Sequence, residues 1–337
     1  MQKPHTDYQL KDKNTLAIPA EAKHFFSFSE ASDLQTLLAM PEYADMPKFV
    51  LGGGSNVLFA KDYNGLIIHP ENSGIEIIEK SENELSLKVA AGENWDDLVS
   101  YCGANGFYGL ENLSLIPGNV GAAPVQNIGA YGIEVKDFIT EVEFLHLDTL
   151  QIEKYSNEAC RFDYRNSIFK QELKDKTVIL NVTFRLSLQF KPALNYRDVK
   201  EEISYIGEVS SLKLRDAIIA IRSRKLPDPA VLPNAGSFFK NPIISEEQYK
   251  FLLKTYPSLP AYPAQDQYKI AAGWLIENCG WKGKKLGTAG VYEKQALILV
   301  NRHGMNARDL LKLKDSIIQD VEMKFGILLE PEVNIIY

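Results

Sequence analysis

Residues 109–132, GLENLSLIPGNVGAAPVQNIGAYG, hold five glycines, two prolines and three asparagines in 24 positions and show no amphipathic period. Such a run extends neither a helix nor a strand. Glycine carries a large entropic cost in both, while Pro117 and Pro124 each fix φ and remove a donor. The segment reads as a shaped loop outside the core, with backbone N–H groups left to point at a ligand. Ordered loops of this length without secondary structure are uncommon and usually functional, and a phosphate-bearing cofactor is the expected target.

A second glycine turn lies upstream. Residues 48–51, KFVL, read as a short buried strand that runs into Gly52-Gly53-Gly54-Ser55-Asn56 and leaves through Val57-Leu58-Phe59. Backbone amides there can line a pyrophosphate, with Ser55 and Asn56 adding side-chain groups. Neither segment matches G-x-G-x-x-G or G-x-x-x-x-G-K-[ST], so a Rossmann nucleotide site and a P-loop are both unsupported. Strand and helix separate the two glycine loops, which suggests one extended ligand enclosed from two sides.

Composition narrows the partners. With 337 residues, 45% hydrophobic and 24% charged, the chain is expected to be a soluble globular protein of two or three domains. A net charge of −7 argues against nucleic acid as the main partner, so an anionic ligand must meet a local basic cluster. Cys102, Cys160 and Cys279 form no CxxC pair, and His5, His24, His69, His146 and His303 are scattered; neither a disulfide framework nor a metal site is expected. The N-terminus has no apolar signal core and no window approaches a membrane span, so a cytoplasmic protein without membrane attachment is expected.

Periodicity gives an α+β chain. Strand patterns fall at GLIIHP, LSLKVAAG, ITEVEFLHLD, QIEKYS, TVILNVTFRLSL and QALILVN, and a last strand is expected over 332–336. Helices are expected near 95–104, 212–224 and 306–325, with Asn306 as a cap, and over KIAAGWLIENCG. Pro227 and Pro229 break the second of these and place a boundary near 225.

Four further segments stand downstream in fixed order: CRFDYRNSIFK (160–170), RKLPDP (224–229), NAGSFFKNP (234–242) and LEPEV (329–333). With both glycine loops, they make nearly the whole chain resemble the UDP-N-acetylenolpyruvoylglucosamine reductases, within the flavin-binding fold of the vanillyl-alcohol-oxidase (PCMH) type. KPALNYRDV is similar to the extra tyrosine loop of the longer, type I branch, although Arg197 stands where that branch usually has glycine. The resemblance implies a two-part FAD-binding module of two small α+β subdomains plus a C-terminal α+β substrate-binding domain. The implied parts are residues 1–68 joined by a C-terminal strand 328–337, residues 69–222, and residues 223–327.

The resemblance also implies cofactors and partners: non-covalent FAD, NADPH as reductant, a UDP-sugar enolpyruvyl ether as substrate in peptidoglycan precursor synthesis, and a monomer. Flavin contacts fall on Gly52, Gly53, Gly54, Ser55, Asn56, Pro117, Gly118, Asn119, Gly121 and Gln126. Substrate contacts fall on Tyr164, Tyr196, Lys225, Asn241 and Gln295.

Three residues carry the implied chemistry. Hydride addition to an enol ether of pyruvate leaves negative charge on the carboxylate, and the guanidinium of Arg165 suits that charge because it stays cationic and binds it through two hydrogen bonds. Ser237 is the implied proton donor to C2, its hydroxyl expected in an apolar, water-poor pocket beside Phe238 and Phe239. Glu332 is the second stabilising group, expected to be kept neutral or to relay a proton. Two rival readings are a flavin oxidase of the same fold and a non-catalytic nucleotide-sugar binder.

Overall fold

Asn94 starts the helix Trp95–Asn105 by accepting hydrogen bonds at its side chain from the N–H groups of Asp96 and Asp97. Those two acids also complement the positive end of the helix dipole, and Gly106 at φ +73 ends the helix in the left-handed conformation. Its inner face, Trp95, Leu98, Val99 and Cys102, packs on an antiparallel five-stranded sheet. That sheet runs in the order Ile152–Ser156, Ile139–His146, Thr177–Ser187, Glu84–Ala90 and Ile75–Lys80. Alternation explains the seating: Leu85, Leu87 and Val89 face Leu186, Phe184 and Val182 in register and turn to one side.

The structure, a computed structural model, describes residues 3–204, 209–302, 304 and 306–337. It divides into two units. The larger comprises residues through Tyr8, Ala22–Gly54 and Asn64–Arg224; the smaller comprises Gln9–Glu21, Ser55–Tyr63 and Lys225–Tyr337. Besides the five-stranded sheet, the larger unit holds a four-stranded sheet ordered His5–Gln9, Glu21–Phe28, Tyr63–Pro70 and Lys48–Val50, whose last pair is parallel. Phe26, Phe28, Leu66 and Ile68 from one sheet and Leu145, Val178 and Leu180 from the other share a core with Leu34 and Leu37 of the helix Ala31–Leu38.

The glycine-rich run is not outside the core. Leu110, Leu113, Val120, Ala123 and Ile128 are all buried in the same cluster as Trp95 and Phe184. Short 3-10 turns, Glu111–Leu113 and Val120–Ala122, and a small hairpin, Gly129–Ala130 with Ile133–Glu134, replace regular elements. Apolar residues set between glycines and prolines reach inward one at a time, a spacing with neither helical nor strand period.

In the smaller unit the helix Ala307–Phe325 buries Leu310, Leu313, Ile317, Val321 and Phe325, and the Asn306 side chain accepts from the Asp309 N–H at 3.2 Å. It packs with a sheet ordered Asn234–Ser237, Ile298–Asn301, Ala289–Val291 and Lys285–Leu286. A three-stranded sheet, Ile243–Ser245, Gln267–Ile270 and Ala261–Ala264, accounts for the late start of the next helix. Lys269 and Ile270 pair with Tyr262 and Ala261, so the helix expected over KIAAGWLIENCG spans only Ala272–Asn278. The last strand, Asn334–Ile336, pairs in parallel with Val57–Phe59 and is shorter than expected because the Glu332 N–H bonds elsewhere, to the Phe238 carbonyl. Among the described residues no helix is long and apolar enough to cross a membrane.

Candidate active site

The first half of the upstream turn and the downstream loop meet in the larger unit. A Cβ at Gly53 would lie 2.7 Å from Asn119 Oδ1 and 2.9 Å from the Gly118 Cα, so only glycine allows this approach of backbones. Gly121 is similarly confined, a Cβ there lying 2.6 Å from that of Ala91, whereas a Cβ at Gly52 would make ordinary contact with the Ala122 Cβ at 3.7 Å. Residues 91–95 make the opposite wall. Asn119 Nδ2 donates to the Gly92 carbonyl at 2.6 Å, and the N–H groups of Trp95, Val120 and Gly121 bond the carbonyls of Gly118, Glu93 and Ala91.

Those bonds leave specific donors over. Among the described residues, the backbone N–H groups of Gly52, Gly53, Gly118 and Asn119 donate to no protein acceptor. Gly54 and Gly118 hold φ of +64 and +126, conformations that L side chains rarely adopt. Clustered N–H groups on left-handed turns form an anion-binding concavity, so the cradle fits a dinucleotide pyrophosphate. Pro117 and Gln126 lie on the same loop, the first exposed and the second half-buried. Sequence reading missed Asn94 and Gly92 as partners of this cradle; the signal was AAGENW, a glycine ahead of an asparagine cap.

Arg165 sits at the end of the same loop. Asp163 and Asn166 exchange backbone hydrogen bonds at 3.0 and 3.1 Å, leaving Tyr164 and Arg165 as the two corner residues of a tight turn. Arg165 takes φ +53; Nη2 donates to the Gly129 carbonyl at 2.9 Å and Nη1 to the Asn127 carbonyl at 3.3 Å. Its guanidinium carbon lies 5.7 Å from the centre of the Tyr164 ring. A left-handed arginine is a strained backbone, and such strain gathers at functional sites.

Tyr196 immediately precedes the helix Arg197–Ile203 and meets the Tyr131 ring edge-on at 5.3 Å. Arg197 opens that helix and pairs with Glu201 at 2.7 Å, so the position does not need glycine here. Arg222, unremarked in the sequence, lies close enough to Tyr131 for the two to interact electrostatically, and burial pushes its guanidinium below the usual arginine range. Burial likewise pushes the Tyr131 phenol up, with Arg222 opposing it. Arg165 bonds to the 127–131 segment of the loop and Arg222 interacts with it through Tyr131, which supplies the local basicity that an acidic chain requires of an anion site.

The smaller unit brings the segments that carry Ser237 and Glu332 together. The Glu332 N–H donates to the Phe238 carbonyl at 2.8 Å, the Lys240 N–H to the Glu330 carbonyl at 3.0 Å, and Phe239 bridges Pro331, so LEPEV runs antiparallel beside SFFK. Asn56 joins them: its Nδ2 donates to the Glu332 carbonyl at 3.3 Å, and its own carbonyl accepts from Asn334. Ser55 precedes it, half-buried. Glu330 points away and pairs with Lys240 at 2.9 Å. Ser237 is exposed, not enclosed as expected, whereas Phe238 and Phe239 turn fully into the core. A register shift between Asn234 and Ser237, with Gly236 at φ +68, rotates the serine outward while its neighbours stay inside.

The remaining candidates divide. Asn241 Oδ1 accepts from the Ala272 N–H at 2.9 Å, and Gln295 Oε1 lies 2.9 Å from where a Gly273 Cβ would stand, so both meet the first turn of the helix Ala272–Asn278. Lys225, exposed, ends the helix Ser211–Lys225. Among the described residues, which exclude His303, no three His, Cys, Asp or Glu side chains are grouped to hold a metal ion.

A glycine-lined anion cradle on an α+β frame defines a flavin-dinucleotide-binding class, and residues 22–150 match the FAD binding domain family. Residues 228–336 match the UDP-N-acetylenolpyruvoylglucosamine reductase, C-terminal domain family. The chain is 46% identical over 330 residues to the UDP-N-acetylenolpyruvoylglucosamine reductase of Chromobacterium violaceum, covering 97% of each, and 44% identical to that of Bacteroides fragilis, covering 98% and 99%. The crystal structure of the reductase from Thermus caldophilus shares the fold with a TM-score of 0.70 at 23% identity, over 99% of this chain and 100% of that one. The chain belongs to the UDP-N-acetylenolpyruvoylglucosamine reductase family.

Proposed function

We propose that the chain is an FAD-dependent reductase that converts UDP-N-acetyl-3-O-(1-carboxyvinyl)glucosamine to UDP-N-acetylmuramate with NADPH. Its setting is cytoplasmic synthesis of peptidoglycan precursors, and through it cell shape and division. One observation carries the reading: likeness over 97% of the chain to relatives named for this reaction. The arrangement supports it, because the glycine cradle, the loop-held arginine and the paired segments of Ser237 and Glu332 all fall on the motif residues. The division into residues 1–68 with 328–337, 69–222 and 223–327 belongs to the same proposal, with the third part taking the UDP-sugar and the protein acting as a monomer.

The N–H groups of Gly52, Gly53, Gly118 and Asn119, with Ser55, Asn56, Gly54, Pro117, Gly121 and Gln126, hold the flavin dinucleotide. When bound, the flavin supplies the hydride that adds to the terminal CH₂ carbon of the enolpyruvyl group. Arg165 binds the substrate carboxylate and stabilises the charge that then develops there. Ser237 gives its proton to C2, and Glu332, on the segment paired with SFFK, is kept neutral or relays a proton. Lys225, Tyr164, Tyr196, Asn241 and Gln295 hold the UDP-sugar.

Visible spectroscopy of the purified protein tests this. A yellow protein should bleach anaerobically with NADPH and regain its colour when the enolpyruvyl ether is added. Reduced protein that the ether fails to reoxidise, or colourless protein that FAD does not reconstitute, overturns the reading.

A further inference from the structure

The way Arg165 is held carries an inference that rests on its proposed role as the cation for the substrate carboxylate. Asn127 is fully buried and holds φ +47, a left-handed conformation that asparagine tolerates better than most residues. Its Nδ2 donates to the Asp163 carbonyl at 3.0 Å and to Glu134 Oε2 at 3.1 Å, and its Oδ1 accepts from the Lys136 N–H at 3.1 Å. Its backbone carbonyl accepts from Arg165 Nη1 at 3.3 Å. Asp163 opens the tight turn that carries Arg165, so one residue fastens both the root of the arginine and the tip of its guanidinium.

Neighbouring groups complete the clamp. The Gly129 carbonyl takes the other terminal nitrogen at 2.9 Å, and a Cβ at Gly129 would lie 3.3 Å from Nη1 and 2.9 Å from the Ile133 carbonyl, so no side chain stands there without moving the hairpin or the guanidinium. Lys170 Nζ donates to the carbonyl of Arg165 at 3.3 Å, and Ser167 Oγ to that of Val125 at 2.7 Å. The turn and the loop are thereby tied at several points, with the Asn127 side chain reaching the turn, the hairpin and the segment after it.

We propose that Asn127 is a positioning residue for the reduction: it sets where the Arg165 guanidinium meets a carboxylate, and touches no substrate itself. Asn127→Asp keeps the size and the acceptor for Lys136 but turns the Nδ2 donor into an acceptor that faces the Asp163 carbonyl and the Glu134 carboxylate. The turn must then shift, and a misplacement of about 1 Å is enough for roughly 10²-fold in rate.

Stopped-flow measurement of both half-reactions on the FAD-loaded protein tests this, with Asn127→Asp, Arg165→Lys and the double variant in one cycle. Asn127→Asp should lower the thermal midpoint yet retain the flavin absorbance at the assay temperature, slow reoxidation by the enolpyruvyl ether at least tenfold, weaken binding of UDP-N-acetylmuramate titrated by flavin absorbance, and add little to Arg165→Lys. Effects of the two substitutions that multiply independently, or unchanged reoxidation in Asn127→Asp, overturn the inference and leave the role of Arg165 standing. If Arg165→Lys itself leaves reoxidation unchanged, the role of Arg165 falls and the inference with it. Should Asn127→Asp lose its flavin, Asn127→Gly, which keeps the left-handed backbone and the carbonyl, is read by the same criteria; loss of flavin in both makes the residue structural and overturns the inference.

Discussion

Ser237 shows how a single side chain can be aimed by its neighbours. Two flanking aromatics are driven into the core by burial, the bulge at Gly236 absorbs the extra residue, and the serine is left facing out beside the LEPEV segment. Ser237→Ala should therefore leave folding and flavin reduction by NADPH intact while slowing reoxidation by the enolpyruvyl ether about 10²-fold or more. Equal rates of reoxidation in wild type and variant would remove the serine from the chemistry. The cysteines make a separate expectation. Burial pushes the Cys102 and Cys160 thiols up to about 12, so neither is a thiolate near neutral pH, and Cys279 is raised by burial as well. A disulfide reagent at pH 8 should react with the first two only as fast as the chain unfolds; rapid stoichiometric labelling of native protein would contradict their burial. In the sequence, motif order is what singles out Ser237 and Arg165 as candidates. The holding of Arg165 was not legible there, since carbonyl acceptors have no sequence signature.

At the scale of elements, the long sheet illustrates where pattern suffices. Thr177–Ser187 and Ile139–His146 announce themselves by alternation, as does the helix Ala307–Phe325 by its repeat of buried positions. The helix Glu246–Thr255 escaped notice because it buries only Leu252, although Ser245 caps it in the usual way. The outward faces hold charge instead. Burial alone would raise the Glu143 carboxyl, but the Asn181 amide at 2.6 Å, with Lys88 at 3.3 Å and Lys154 at 3.4 Å, holds it below the ordinary glutamate value of 4.5. A carboxyl depressed on folding contributes stability above its unfolded pKa and loses it as pH falls through the folded one. Urea denaturation should thus find Glu143→Gln less stable than wild type at pH 7, with the gap closing below pH 4.5 and into the folded value. A gap that widened with acid would reverse the assigned shift.

At the scale of the whole molecule, the smaller unit is assembled from three separated stretches of chain, and no local pattern could have disclosed it. The pairing of Val57–Phe59 with Asn334–Ile336 spans most of the sequence, as do the bond from Asn301 Nδ2 to the Leu16 carbonyl at 2.8 Å and that from the Asn234 N–H to Thr15. Leu16, Ile18 and Leu58 enter the same core as Phe238 and Ile317, each essentially without exposure. Burying each contributes about 1.5–3 kcal/mol, together roughly 5–9 kcal/mol, which is comparable to the whole net stability of a typical domain at about 5–15 kcal/mol. Residues 225–337 expressed alone lack all three side chains and the partner strand for Asn334–Ile336, so they should not reach a unique fold despite matching a C-terminal domain family. The fragment is expected to show helical circular dichroism without a cooperative thermal transition, and poorly dispersed amide resonances. A dispersed spectrum and a sharp transition would mean that the C-terminal stretch closes its core unaided, and that residues 9–21 and 55–63 decorate the unit instead of completing it.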